Sequence, residues 1–196
     1  MRIVKIEAPV YEYSELQVDA KTVVEAYVLS VAHDSNTFSE NVKYSIESLG
    51  FEDINVYCHL ANKHNDGLCF TGTINWLNLS RIEYIIDKLR FFSSPFIMTA
   101  NECLNNIRFI RLNHSSTTCK DVVVDIDNTY WMTANEFSAF RDMLLDWYYN
   151  LCQQYERDGY KWFDEITEQE VIDYCDANNL EFFKDGRIFI ESTKAL

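Results

Sequence analysis

The chain has 196 residues, 47% hydrophobic and 15% aromatic, which is enough for a packed core in one large domain or two small ones. Its formal net charge of −14 disfavours binding to nucleic acid or to acidic membranes and favours basic partners. Two prolines and five glycines exclude long linkers, and no apolar run reaches the roughly 18–20 residues that span a bilayer.

The elements follow in chain order. Met1 to Glu7 reads as a first strand and not as a signal peptide, because an acid sits at position 7 and no long apolar stretch follows. A helix over about 20–32 carries the stripe Val23, Val24, Tyr27, Val28 and Val31. A second helix over about 38–49 ends at Gly50, a residue suited to the left-handed position past a helix end. Ile54, Val56, Cys58 and Leu60 then alternate, Asn65-Asp66-Gly67 predicts a turn, and Leu68 to Ile74 predicts the returning strand.

Ile82, Ile85, Ile86 and Leu89 mark a helix over about 81–92, ended by Ser93-Ser94-Pro95. Strands are expected near 107–112 and 121–126, across the polar loop 113–120. A long helix over about 134–156, a helix over 168–178 and a hairpin turning at Asp185-Gly186 complete the chain. The helix starts are marked by capping boxes, in which Ser or Thr and a Glu three residues on satisfy each other's backbone N–H. Ser80–Glu83, Thr99–Glu102, Thr133–Glu136 and Thr167–Glu170 also carry the flanking apolar pair of a hydrophobic staple; Thr22–Glu25 and Thr37–Glu40 show the box alone. Met-Thr-Ala-Asn-Glu occurs at both 98–102 and 132–136, with unlike flanks, and reads as two similar solutions to one capping problem.

The fold class is therefore α+β, with antiparallel hairpins packed on helices and a mainly helical C-terminal part. A boundary is expected in the polar loop, giving an α+β subdomain over 1–116 and an acidic, mainly helical one over 117–196.

Charge is distributed unevenly. Residues 121–196 hold seventeen acids against six bases. On the long helix Phe137, Phe140, Leu144, Tyr148, Leu151 and Tyr155 share one side, opposite Asp142 and Asp146, with Tyr149 close to the acids. On the last helix Val171, Ile172 and Cys175 oppose Glu170, Asp173 and Asp176. A loop is expected between the helices, with Glu156, Asp158, Trp162, Asp164 and Glu165 among its acids and aromatics. These eleven polar and aromatic residues, Asp142 to Asp176, are the candidate partner-binding set. Rows of carboxylates approximate the charged line of duplex DNA, and Tyr and Trp are enriched at interface hot spots. The expected partner is a basic surface on a nucleic-acid-binding or nucleic-acid-processing protein. The expected activity is non-enzymatic inhibition of that partner, of the DNA-mimic, anti-restriction or anti-CRISPR kind. A solubilising face and a toxin-neutralising immunity protein are the competing readings.

Two chemical alternatives arise. Val122-Val123-Val124-Asp125-Ile126-Asp127-Asn128-Thr129 resembles the first motif of haloacid dehalogenase-like phosphatases. That resemblance implies Asp125 as nucleophile and Mg²⁺ ligand, Asp127 as general acid/base, and a parallel βα core after the motif. Only 67 residues follow Thr129, and they predict two helices and a hairpin instead. Cys58, His59, His64, Cys69, His114 and Cys119 supply zinc-type donors without the short knuckle spacing of a zinc site. No cofactor or metal is expected. The six cysteines show no C-x-x-C and are expected as free thiols in a reducing cytoplasm.

Overall fold

The computed structural model describes residues 8–60, 67–113 and 117–189. The expected first strand lies outside them, as do Asn65 and Asp66 of the first turn. The fold is α+β: the described residues form seven α-helices and a four-stranded antiparallel sheet. They divide into two compact units, residues 8–34 with 161–189, and the described residues between 35 and 160.

In the unit formed by the two ends of the chain, α1 (Val18–Ala32) packs on α7 (Glu168–Ala177). Its core comprises Tyr13, Leu16, Ala20, Val24, Val28, Val171, Cys175 and Phe182. Tyr11 and Phe182 exchange two backbone hydrogen bonds of 2.9 Å, tying the N-terminal segment to the segment after α7. At the expected final hairpin Phe182 and Ile188 form an antiparallel bridge across a turn at Gly186, which sits at φ +84°. A side chain there would also strike the Ala20 carbonyl, with a Cβ only 2.4 Å away. The stripe expected on α1 is only partly buried. Val24 and Val28 are in the core with Ala20, whereas Val23 and Val31 remain 48% and 41% exposed.

The central unit is a meander in the order β1 (Phe51–His59), β2 (Gly67–Ile74), β3 (Ile107–Arg111), β4 (Val122–Ile126). Alternation places Ile107 and Phe109 of β3 and Val122, Val124 and Ile126 of β4 in the core, with Arg108, Val123 and Asp125 away from it. Phe51, Phe70 and Phe109 meet Trp147 and Tyr148 of α6 (Ala134–Asp164), with Phe109 and Tyr148 stacked at 5.0 Å. β1 is bulged between Glu52 and Asn55, where Asp53 adopts φ +54°. α2 (Ser35–Ser48) packs on β1 through Phe38, Val42 and Ile46 and ends before Gly50 at φ +90°, as its sequence predicts.

The boundary expected at 116/117 falls between β3 and β4, which pair over five residues. Between β2 and β3 the helix starts are also revised. Asn75 caps a short α3 (Trp76–Leu79), accepting from the Asn78 amide at 2.8 Å. Ser80 therefore closes α3, and α4 (Glu83–Leu89) begins without a side-chain cap. Ser93 opens α5 (Ser94–Cys103), with Pro95 in the first turn, where its missing N–H costs nothing. Thr99–Glu102 then lies inside α5, and Thr22–Glu25 and Thr37–Glu40 lie inside α1 and α2, so none of these three starts a helix. Thr133–Glu136 and Thr167–Glu170 form as predicted.

Candidate functional site

The eleven candidate residues divide between the two units. Asp142, Asp146, Tyr149, Glu156 and Asp158 belong to the central unit, and Trp162, Asp164, Glu165, Glu170, Asp173 and Asp176 to the other. The expected loop between them does not exist, because α6 is helical to Asp164. Gly159 does not stop the helix. It is buried, and a Cβ there would stand 2.3 Å from Leu60 and 2.8 Å from Phe38, so the glycine is a close-packing position.

On α6, Asp142, Asp146 and Asp158 are exposed, while Tyr149 and Glu156 are half-buried. Two of these acids are engaged locally. Arg141 donates to Asp142 at 3.1 Å, and the Tyr84 hydroxyl donates to Asp146. That bond, with some burial, pushes the Tyr84 phenol up to about 12. The acidic row of the central unit is thus already partly balanced.

The other unit is more lopsided. Its described residues carry thirteen acids and four bases, and two of those bases, Lys21 and Arg187, pair with Glu168 and Asp185 at 2.8 Å. Folding adds Glu12, Glu15, Asp19 and Glu25 from the N-terminal segment to the C-terminal acids. The sequence hides this, because those residues lie in a half of the chain with modest net charge. Asp164, Glu165, Glu170, Asp173 and Asp176 are all exposed. Glu170 is held by its capping box, where the Thr167 hydroxyl and amide hold its carboxyl below the usual range. Asp173 accepts from Gln169 at 2.7 Å. Trp162 is not an exposed anchor. It is half-buried, stacked at 4.1 Å on His33, whose Nδ1–H donates to the Trp162 carbonyl at 2.5 Å.

One groove of this unit gathers three carboxylates. Glu12, Asp176 and Glu181 line it with Tyr13, Cys175, Asn179 and Leu180, and it encloses about 470 Å³. It forms because α7 ends at Asn178, with Asn179 left-handed at φ +49°, and the Leu180 amide then turns back to the Cys175 carbonyl at 2.9 Å. The Tyr13 hydroxyl donates to Glu25 at 2.8 Å, and burial pushes that phenol up. Carboxylates beside Tyr13 and Leu180 match an arginine or lysine side chain, whose stem is apolar and whose head is cationic. Only Asp176 of these carboxylates is in the sequence-derived set.

Asp125 and Asp127 fall on one side of the chain, as their spacing predicts, and the geometry gives them a common partner. Arg108 on β3 donates to Asp125 at 2.6 Å and to Asp127 at 3.0 Å. β4 is an edge strand paired antiparallel to β3, not the parallel strand of a βα core that the phosphatase resemblance implies. Among the described residues no three His, Cys, Asp or Glu side chains gather as a metal site, and His64 and His114 lie outside them. The six cysteines are unbridged. No helix of the described residues is long and apolar enough to cross a membrane. The chain matches no family model, no curated protein and no solved structure.

Proposed function

We propose that the chain is a non-enzymatic binding protein that blocks a basic surface on a nucleic-acid-binding or nucleic-acid-processing protein. The supporting observation is the acidic excess of the unit formed by the chain's two ends, where thirteen acids face four bases among the described residues. Such an excess costs self-repulsion and raises the rate of encounter with a cationic partner. The groove of Glu12, Asp176 and Glu181 is the proposed seat for one arginine or lysine of that partner. In this reading the carboxylates stand in for nucleic-acid phosphates, as in DNA-mimic and anti-defence inhibitors.

The test has two stages. Proteins of the native host captured on the immobilised chain are eluted with a salt gradient, and duplex DNA is then titrated against the purified complex. Steep loss of affinity with salt and displacement by DNA are expected. Binding unchanged from low to near-molar salt overturns the mimicry. A salt-sensitive complex that DNA does not displace supports the immunity-protein class instead. The variant Asp173→Lys/Asp176→Lys/Glu181→Lys, checked for native circular dichroism, is expected to lose binding by at least about 100-fold, on the scale of interfacial charge pairs. Retained binding removes this face from the proposal.

A further inference from the structure

α1 carries an apolar row that the core of its unit does not use. Ala20, Val24 and Val28 are buried in that core, whereas Val23, Tyr27 and Val31, spaced by four, remain 48%, 38% and 41% exposed. Side chains four apart form a ridge along a helix, and such ridges seat in the grooves of a second helix. Beside this ridge runs a row of short side chains, Thr22, Ala26 and Ser30, all exposed. Its hydroxyls are turned back onto the helix: Thr22 donates to the Val18 carbonyl at 3.2 Å and Ser30 to the Tyr27 carbonyl at 2.7 Å. A helix laid over the ridge and the shallow row would therefore strand neither hydroxyl hydrogen.

The charge of the unit selects the chemistry of that second helix. Thirteen acids against four bases among the described residues disfavour a second copy of the same face and favour a cationic partner. Asp19 stands exposed one turn before Val23, at the head of the ridge. The one base of α1, Lys21, is paired with Glu168 at 2.8 Å.

We infer that the ridge of Val23, Tyr27 and Val31 is the docking site for an amphipathic helix of the basic partner. The apolar stripe of that helix lies on the ridge, and the lysines or arginines beside the stripe meet the carboxylates of the unit. Tyr27 sits at the centre of the contact, a residue type enriched at interface hot spots. The inference rests on the acidic-unit reading above and adds to it an apolar contact that salt does not screen.

Two fluorescein-labelled peptides of identical leucine and lysine content are titrated with the full-length chain and followed by anisotropy. In one the leucines recur at helical spacing; in the other they are scrambled. The patterned peptide is expected to bind at least about tenfold more tightly. The double variant Val23→Ser/Val31→Ser, checked for native circular dichroism, is expected to lose that preference. Its binding of the scrambled peptide and the salt dependence of both are expected to stay as in the wild type. Equal affinity of the wild type for the two peptides, or a variant that keeps the preference, overturns the inference. Steep salt dependence separates that failure from a failure of the acidic-unit reading, in which neither peptide responds to salt. Self-association of the chain alone that the double variant abolishes, seen by sedimentation equilibrium, also overturns the inference, because it assigns the ridge to a second copy.

Discussion

The Tyr148 hydroxyl holds both backbone groups of Phe70, donating to its carbonyl at 2.7 Å and accepting from its amide at 2.9 Å. The pairing of β2 with β3 runs from Gly72 to Ile74, so Phe70 lies beyond the ladder and a side chain from α6 supplies the missing strand partner. Tyr148 is itself fully buried and packs on the Phe70 and Phe109 rings. Tyr148→Phe keeps the ring and leaves an amide and a carbonyl unpaired inside the core. Each such group costs about 1–3 kcal/mol, so the central unit is expected to lose about 2–4 kcal/mol. Chemical denaturation should show the midpoint fall without a change in slope, and an unchanged midpoint would mean that water replaces the hydroxyl.

α7 depends on its cap. Thr167 and Glu170 satisfy each other's backbone amides, at 2.7 Å to the Glu170 carboxylate and 3.3 Å to the Thr167 hydroxyl. Thr167→Ala is expected to cost about 1 kcal/mol near neutral pH, read as faster amide exchange across α7. The same contact fixes the sign of a pH effect. The Glu170 carboxyl is held below its usual range, first by the Thr167 hydroxyl and then by the Thr167 amide. A lowered folded-state pKa stabilises above the unfolded carboxylate range and ceases to do so as pH falls through the folded value. The difference between wild type and Thr167→Ala should therefore shrink on acidification, and a difference that grows would assign the effect to another group.

These two contacts also show what the sequence discloses and what it withholds. The Thr167 and Thr133 boxes are local, so four residues suffice to find them. The same pattern at Thr99 is overridden because Ser93 and Pro95 start α5 six residues earlier, and Thr99 instead bonds back to the Pro95 carbonyl inside the helix. Met-Thr-Ala-Asn-Glu thus caps one helix and fills the interior of another. Strand order and the convergence of Glu12 with Asp176 and Glu181 are long-range outcomes. No window of sequence contains both ends of the chain, so the candidate acids appear in sequence as a C-terminal property and in the structure as a property of a unit built from both termini. Gly159 carries the same lesson in reverse: it lies in the stretch expected as a loop, and the structure makes it a buried helix interior.

Gly159 sets two opposing terms against each other. Replacing a mid-helix glycine by alanine gains about 1 kcal/mol of helix propensity. The new Cβ would meet Phe38 Cζ at 2.8 Å and Leu60 Cδ1 at 2.3 Å. Leu60 is half-buried and its methyl can rotate away, but the Phe38 ring is 5% exposed and has little room to move. Overpacking costs about 1–3 kcal/mol, so Gly159→Ala is expected to destabilise the central unit by about 1 kcal/mol net. Adding Phe38→Leu should recover part of that loss in a double-mutant cycle, and strict additivity would show that the clash is not with Phe38.

Arg108 gives the decisive test of the phosphatase resemblance. Its guanidinium bonds both Asp125 and Asp127, at 2.6 and 3.0 Å, and so neutralises the oxygen-rich pair that would suit a divalent cation. The three groups are all partly exposed, so solvent screens the ion pairs and they contribute little to stability. Removing the arginine leaves two carboxylates facing each other without a counter-charge. Millimolar Mg²⁺ is therefore expected to leave the melting temperature of the wild-type chain unmoved and to raise it in Arg108→Ala, where the cation takes over the role of the guanidinium. If Mg²⁺ stabilises the wild type and Asp125→Asn abolishes that shift, the carboxylate pair binds metal despite Arg108. The binding-protein reading then gives way to phosphoryl chemistry.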